Sequence, residues 1–341
     1  MIIRRRAYPR AGLIGNPSDG YFGKTIAFTF SNFCAEVVLY ETPELEILPN
    51  TRDHSLFRNI GHLADDVRRY GYYGGIRLLK ATVKRFNDYA SRNGIELHDR
   101  NFTIRYSSDI PHMVGLAGSS AIITACLRAL TAFYGIAVPD PEQANLILSV
   151  EQEELGISAG LQDRVAQVYQ GLVYMDFSRD LIEGRGYGEY EYLDAALLPP
   201  LYVAFRRDLA EGSETVHNTL RARFDRADPD VLGAIADWIS LTDRFKALLL
   251  DGKRDELGEL INANFDRRRQ VCRISEENLG MIKAARACGA SAKFTGSGGA
   301  IVGMYADDAM FAALERSLEP MGVSVLKPRL APPSEVSGDD S

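Results

Sequence analysis

The chain has 341 residues, 46% hydrophobic, 25% charged and 9% aromatic, the make-up of an ordinary globular protein of enzyme size, long enough for two packed domains. Its formal net charge of -7 provides no global positive field for nucleic acid or an anionic membrane, so neither is an expected partner. Four cysteines without a CxxC pair, no apolar run near the roughly 20 residues of a membrane span and no apolar secretion segment lead to the expectation of a cytoplasmic protein, with monomer and homodimer both left open.

Residues 24–40 alternate apolar and polar side chains and are rich in Thr, Val and Phe, as half-buried strands are, so the chain is expected to begin as sheet. The run Arg4-Arg5-Arg6 reads as a solvated face. Helical spacing over about 60–92 is broken at 71–75, where Tyr72 and Tyr73 stand among glycines and either pack or stack on a ligand. A strand is predicted at 102–107, then a helix over 119–134 closed by Gly135. The next helix is expected to start at Asp140 as N-cap, with Pro141 in its first turn, and to run to Gly156. Pro199-Pro200 precedes a strand at 201–205, which puts a domain boundary near 197. Residues 198–330 alternate helices (213–224, 229–250, 254–271, 276–288) with a strand-loop-strand at 290–305 and a last helix and strand, an α+β domain. Residues 331–341, rich in Pro, Ser and Asp, are expected to form a flexible tail.

The segment that carries the clearest chemistry is Pro111-His-Met-Val-Gly115-Leu116-Ala117-Gly118-Ser119-Ser120-Ala121, between a strand and an apolar helix. Small residues let a backbone approach a ligand, and the amides of a helix N-terminus favour phosphate; the alternative is merely a tight strand-to-helix turn. It is neither a Walker loop nor a dinucleotide-binding GxGxxG. Glu151 shares the face of Ala144, Ile147, Leu148 and Leu155, so its carboxylate points inward as a metal ligand or as a salt-bridged core acid. By position alone Asp163 is a helix-start carboxylate.

The 111–121 segment resembles, with one inserted residue, the second motif of the GHMP kinases, approximately PxxxGLGSSA. Residues 7–19 (AYPRAGLIGNPSD) resemble that family's first motif and 291–300 (SAKFTGSGGA) its third. The resemblance implies a two-domain α+β fold, the N-terminal domain like ribosomal protein S5 domain 2 and the C-terminal one ferredoxin-like, with the site between them. It implies ATP and Mg²⁺ as cofactors, and an ATP site made of Pro111, Gly115, Leu116, Ala117, Gly118, Ser119, Ser120, Gly296, Ser297 and Gly298. Ser120 and Glu151 would ligate magnesium. Glu151 stands twelve residues before Asp163 in Gly160-Leu-Gln-Asp163, the spacing of the galactokinase glutamate from the catalytic aspartate, so Asp163 would act on the acceptor hydroxyl with Arg10 beside it.

Asp19 matches the family's sugar-binding aspartate. Arg164 and Asn16-Pro17-Ser18 depart from the galactokinase pattern and point away from galactose. The runs at 13–33, 71–79, 115–122, 155–177, 264–269 and 291–300 resemble the branch that phosphorylates D-glucuronate at its anomeric hydroxyl. A uronate carboxylate suits an arginine fork, for which Arg164, Arg267 and Arg268 are candidates, with Asn264 on the same helix. The alternatives are another sugar (a heptose phosphate, galactose or arabinose) and a GHMP-fold protein that is a nucleotide-binding regulator or an ATP-using lyase.

Overall fold

Alternation sets the first strands. The structure, a computed structural model, describes residues 1–50, 53, 74–207 and 214–333. In β1 (Ile2–Ala7), Ile3 and Ala7 turn inward while Arg4 and Arg6 turn to solvent and pair with Glu36, so the basic run is a solvated face. β1 pairs antiparallel with β4 (Ala35–Thr42), β4 with β6 (Asn101–Ser108), and β6 in parallel with the short β5 (Glu46–Ile47). Tyr8-Pro9 separates β1 from a second sheet of order β2 (Arg10–Ile14), β3 (Lys24–Thr29), β7 (Leu172–Asp176) and β8 (Glu189–Leu193). Every residue of β2 is buried, so this strand runs through the interior.

Helices α1 (Gly75–Arg92), α2 (Gly118–Tyr134), α3 (Asp140–Ser149) and α4 (Gln162–Tyr169) cover these sheets. α2 is apolar nearly all round, as a helix between other layers must be, and ends on Gly135 in the left-handed conformation. The helix expected to run unbroken from 140 to 156 ends at Ser149 and continues as a π-helical turn, Val150–Glu154, before Gly156. Pro139 rather than Asp140 occupies the N-cap, and Asp140 is the first helical residue. The glycine-tyrosine run lies, up to Tyr73, outside the described residues, and α1 starts at Gly75.

After α5 (Arg179–Arg185), the second half opens with β9 (Leu201–Arg206). It continues through α6 (Glu214–Asp225), α7 (Pro229–Leu250), α8 (Leu257–Val271) and α9 (Glu276–Ala287). β10 (Lys293–Phe294), β11 (Ala300–Met304), α10 (Asp308–Leu318) and β12 (Val323–Leu326) follow. Its sheet is antiparallel, in the order β10-β11-β9-β12. Residue 197 marks no gap in the core: Val203, Phe245, Leu249, Ile261 and Val302 belong to the same apolar cluster as Leu13, Phe28 and Val173. Tyr202, Phe265, Ile282 and Phe294 centre a second cluster, and Tyr21, Trp238 and Val271 a third. Ala331, Pro332 and Pro333, expected to open a flexible tail, are among the described residues. Ala331 is buried and donates its N–H to the Thr29 carbonyl at 2.9 Å, returning the chain to β3, and residues 334–341 lie outside the described set. Among the described residues no helix is long and apolar enough to cross a membrane.

Candidate active site

Three glycine-containing segments far apart in sequence meet backbone to backbone. The Arg10 N–H donates to the Leu116 carbonyl at 3.2 Å and the Gly12 N–H to the Thr295 carbonyl at 2.9 Å, so β2 is flanked by the loops around 115 and 296. Thr295 Oγ1 donates to the Gly115 carbonyl at 3.0 Å. Gly115 has φ 71°, and a Cβ there would stand 2.8 Å from the Gly298 carbonyl oxygen, so glycine is required both by conformation and by the close approach. Arg10 sits at the junction with its side chain buried. Its Nη1 donates to the carbonyls of Gly115 (3.0 Å) and Thr295 (2.8 Å), and its Nε donates to Asp163 Oδ1 at 2.6 Å.

The loop enters α2 through Ala117, which lies in the left-handed region at φ 61° and offers no side-chain cap to the first-turn amides of Gly118, Ser119 and Ser120. An uncapped N-terminus with its dipole pointing at a glycine loop is suited to an anion. Ser120 is buried, and its hydroxyl donates to the Ala117 carbonyl at 3.2 Å, which leaves its oxygen lone pairs available. Gln167, on α4, donates to the carbonyls of Tyr8 (3.1 Å) and Ala117 (2.9 Å) and so ties the first motif to the loop. Pro111 is partly exposed at the head of this loop, and Leu116 is buried in the core beneath it.

Two acids lie near enough beside the junction to interact through their charges. Asp163 lies in the first turn of α4, with its second oxygen 3.4 Å from Arg164 Nη1. Asp19 lies in a 3-10 turn, Ser18–Tyr21, and a Cβ on Gly160 would collide with its carboxylate, so the Gly160 turn and the Asp19 turn press together. Burial first, and then the negative charge of Asp163, push the Asp19 carboxyl up to about 6, against the opposing pull of Arg10, the Gln162 amide and Arg164.

Glu151 has 3% of its surface exposed, and its Oε2 accepts from both Arg164 Nε (2.6 Å) and Arg164 Nη2. Burial pushes this carboxyl above its ordinary range, and the guanidinium opposes the push. Arg164 Nη1 donates to the Gly160 carbonyl at 2.8 Å. Arg164 was expected to receive a substrate carboxylate, but its fork is closed on Glu151.

From the second half, Asn264 Oδ1 accepts from the Gly15 N–H at 2.6 Å and its Nδ2 donates to the Asn16 carbonyl at 3.1 Å, so it holds the first-motif turn. Arg268 is buried, with Nη1 on the Gly296 carbonyl (2.7 Å) and Nη2 on the Ser297 carbonyl (3.2 Å), bracing the third loop. Arg267, expected at the site, instead turns to α7, where it pairs with Asp237 at 2.6 Å; neighbouring helix positions diverge by about 100° and cannot both face the cleft. Sequence reasoning missed Lys293. It is 1% exposed, and its Nζ donates to the carbonyls of Gly12 (2.7 Å) and Phe294 (2.9 Å) and to Asn16 Oδ1. Burial, together with the nearby charges of Arg268 and Arg10, draws this lysine well below its ordinary range. A lysine inside an otherwise small and apolar run was its one sequence signal.

The arrangement combines a phosphate-suited loop with a carboxylate held by a guanidinium at the same crossing. Residues 77–171 match the family described as GHMP kinases N terminal domain. Two Arabidopsis thaliana proteins, "Glucuronokinase 1" and "Probable glucuronokinase 2", are 42% and 43% identical to this chain, each over 88% of it and 84% of the relative. The chain belongs to the GHMP kinase family. Within that family its similarity at this level is to glucuronokinases. The solved structure of Lactococcus lactis galactokinase complexed with galactose matches the fold with a TM-score of 0.73 at 16% identity, covering 96% of this chain and 93% of that one.

Proposed function

We propose that this chain transfers the γ-phosphoryl group of ATP to the anomeric hydroxyl of D-glucuronate, giving glucuronate 1-phosphate and ADP. The observation that carries the kinase reading is Asp163, fixed by Arg10 where the three glycine segments cross. The names of the 42% and 43% identical relatives supply the sugar.

In this reading the amides of Gly118, Ser119 and Ser120 and the loop at Gly296, Ser297 and Gly298 hold the triphosphate. Asp163 aligns the acceptor hydroxyl and takes its proton as the oxygen-phosphorus bond forms. Arg10 keeps that carboxylate in place and adds positive charge beside the transferring group. Asp19 accepts a hydrogen bond from a sugar hydroxyl. Asn264 and Arg268 act on the site from behind, by fixing the first-motif turn and the third loop. The four cysteines are unpaired, in keeping with a cytoplasmic enzyme.

Magnesium fits the donor set of Ser120 and Glu151. The Ser120 oxygen retains lone pairs, and the bonds to Arg164 fall on one Glu151 oxygen, leaving the other for a hard cation. When bound with ATP, Mg²⁺ would neutralise charge on the phosphates. Among the described residues there is no cluster of three or more acidic, His or Cys side chains, and a cation carried largely by phosphate oxygens and water needs none.

The test is ADP formation and identification of the sugar product with D-glucuronate, D-glucose and D-galacturonate as acceptors. A specificity constant for glucose equal to that for glucuronate, or a phosphate anywhere but the anomeric oxygen, overturns the assignment.

A further inference from the structure

We propose that Arg221 is the specificity-determining residue that receives the substrate's carboxylate; this rests on the uronate reading above. The argument begins with charge. The acceptor side of the site already holds two carboxylates, Asp19 and Asp163, close enough for the second to raise the proton affinity of the first. A uronate brings a third anion, whose binding there is unfavourable unless a cation meets it. The cations beside the two acids are committed. Arg10 is bound to Asp163 and two carbonyls, and Arg164 is closed on Glu151. Arg268 spends both terminal nitrogens on the third loop, and Arg267 faces α7.

Arg221 reaches the same turn from α6. Its Nη1 donates to the carbonyl of Gly20, the residue after Asp19, at 3.1 Å. Its guanidinium carbon lies 5.9 Å from the ring centres of both Tyr21 and Phe224, which contact each other at 5.0 Å. Tyr21 is anchored in the third apolar cluster, so the guanidinium rests on a fixed aromatic base. Asp225 pairs with Nε at 3.2 Å, and among the described residues Nη2 has no partner. The side chain is 57% exposed, so an anion can reach it without opening the core. A Cβ built on Gly20 would meet no atom within 4 Å among the described residues, so there is room beside the turn. A sugar with its anomeric oxygen at Asp163 and a hydroxyl on Asp19 would extend its carboxylate past Gly20 to Arg221.

The experiment is steady-state kinetics of wild type, Arg221→Ala and Arg221→Lys, each with D-glucuronate and D-glucose. Wild-type enzyme is read first: no preference for glucuronate overturns the uronate reading and this inference with it. Given that preference, Arg221→Ala is expected to lower the glucuronate-to-glucose ratio of kcat/KM about tenfold or more, chiefly through KM for glucuronate, with Arg221→Lys in between. An unchanged ratio in Arg221→Ala overturns the inference and leaves the uronate reading standing. Because the side chain is exposed, both variants are expected to keep the wild-type melting temperature within about 1 °C, and a large drop in both substrates' rates together would mark a structural role and refute the proposal.

Discussion

Asp19 is held at a cost to stability, and removing its charge should reveal that cost. Its carboxyl is raised from 3.8 to about 6. The folded state therefore binds the Asp19 proton more tightly than the unfolded chain does, and this group makes folding less favourable as pH rises through the interval between those values. Above it the full cost is present; below about 3.8 it is absent. The displacement corresponds to about 3 kcal/mol, and partial exposure of the side chain to water reduces this to about 1.5 kcal/mol. Asp19→Asn keeps the shape and removes the charge. At pH 7.5 it should raise the melting temperature by about 2 °C, a gain that narrows to about one third near pH 4.5, where wild-type Asp19 is largely protonated in the fold. The same variant should lose turnover, because the amide is a poorer acceptor for a sugar hydroxyl. Thermal melts of both proteins across pH 4.5 to 8 decide the matter. A variant less stable than wild type at pH 7.5, or a difference that ignores pH, would refute the electrostatic account.

Three further outcomes follow from the geometry. Asp163→Asn should lower kcat by about 10²–10⁴-fold while calorimetric ATP affinity stays nearly constant; a change confined to KM would assign the residue to positioning. Glu151→Gln removes the carboxylate bound to the buried Arg164, leaving only Asp163 at 3.4 Å as a paired acid, and should cost about 3 kcal/mol in urea unfolding, partly recovered in the Glu151→Gln, Arg164→Met double variant; it should also raise the Mg²⁺ concentration needed for half-maximal rate. Lys293→Met should cost about 1–3 kcal/mol, because the Gly12 and Phe294 carbonyls and the Asn16 side chain lose their donor, and a variant of wild-type stability would show that this network is dispensable.

The fold was legible wherever local pattern and tertiary demand agree. The apolar stretch closed by Gly135 stands as expected, and so does the helix at 229–250, which Asp228 caps and Pro229 opens. The helix expected to reach Gly156 did not, because a 3.6-residue pattern says nothing about a π-turn. The inward direction of Glu151 was correctly read, whereas its partner Arg164, thirteen residues on, could only come from three-dimensional contact. The arginine run at 267–269 has the same limit: sequence spacing gives the angle between neighbours, while the packing of α8 against α7 selects which one faces the third loop. Lys293 was missed for a related reason. Its importance lies in carbonyls that only the folded crossing assembles, and a lone lysine in a short strand carries no period.

The way the cations are satisfied explains how a chain of net charge -7 can offer a site for anions. Arg164 meets a carboxylate, so its charge is cancelled where it stands, and its effect is to join the π-turn to α4. Arg268 and Lys293 are met by backbone carbonyls and an amide side chain, and Arg10 divides its donors between Asp163 and two carbonyls. Carbonyl oxygens supply hydrogen bonds to a buried cation without neutralising it, so positive potential persists beneath the loops at 115 and 296. Burial opposes the charge on Lys293, and the three acceptors around its Nζ, which together engage every proton of an ammonium, oppose that loss. The glycines then have a second consequence. By letting the three backbones approach closely, they bring enough carbonyls together to hold Arg268 and Lys293 in place of acids.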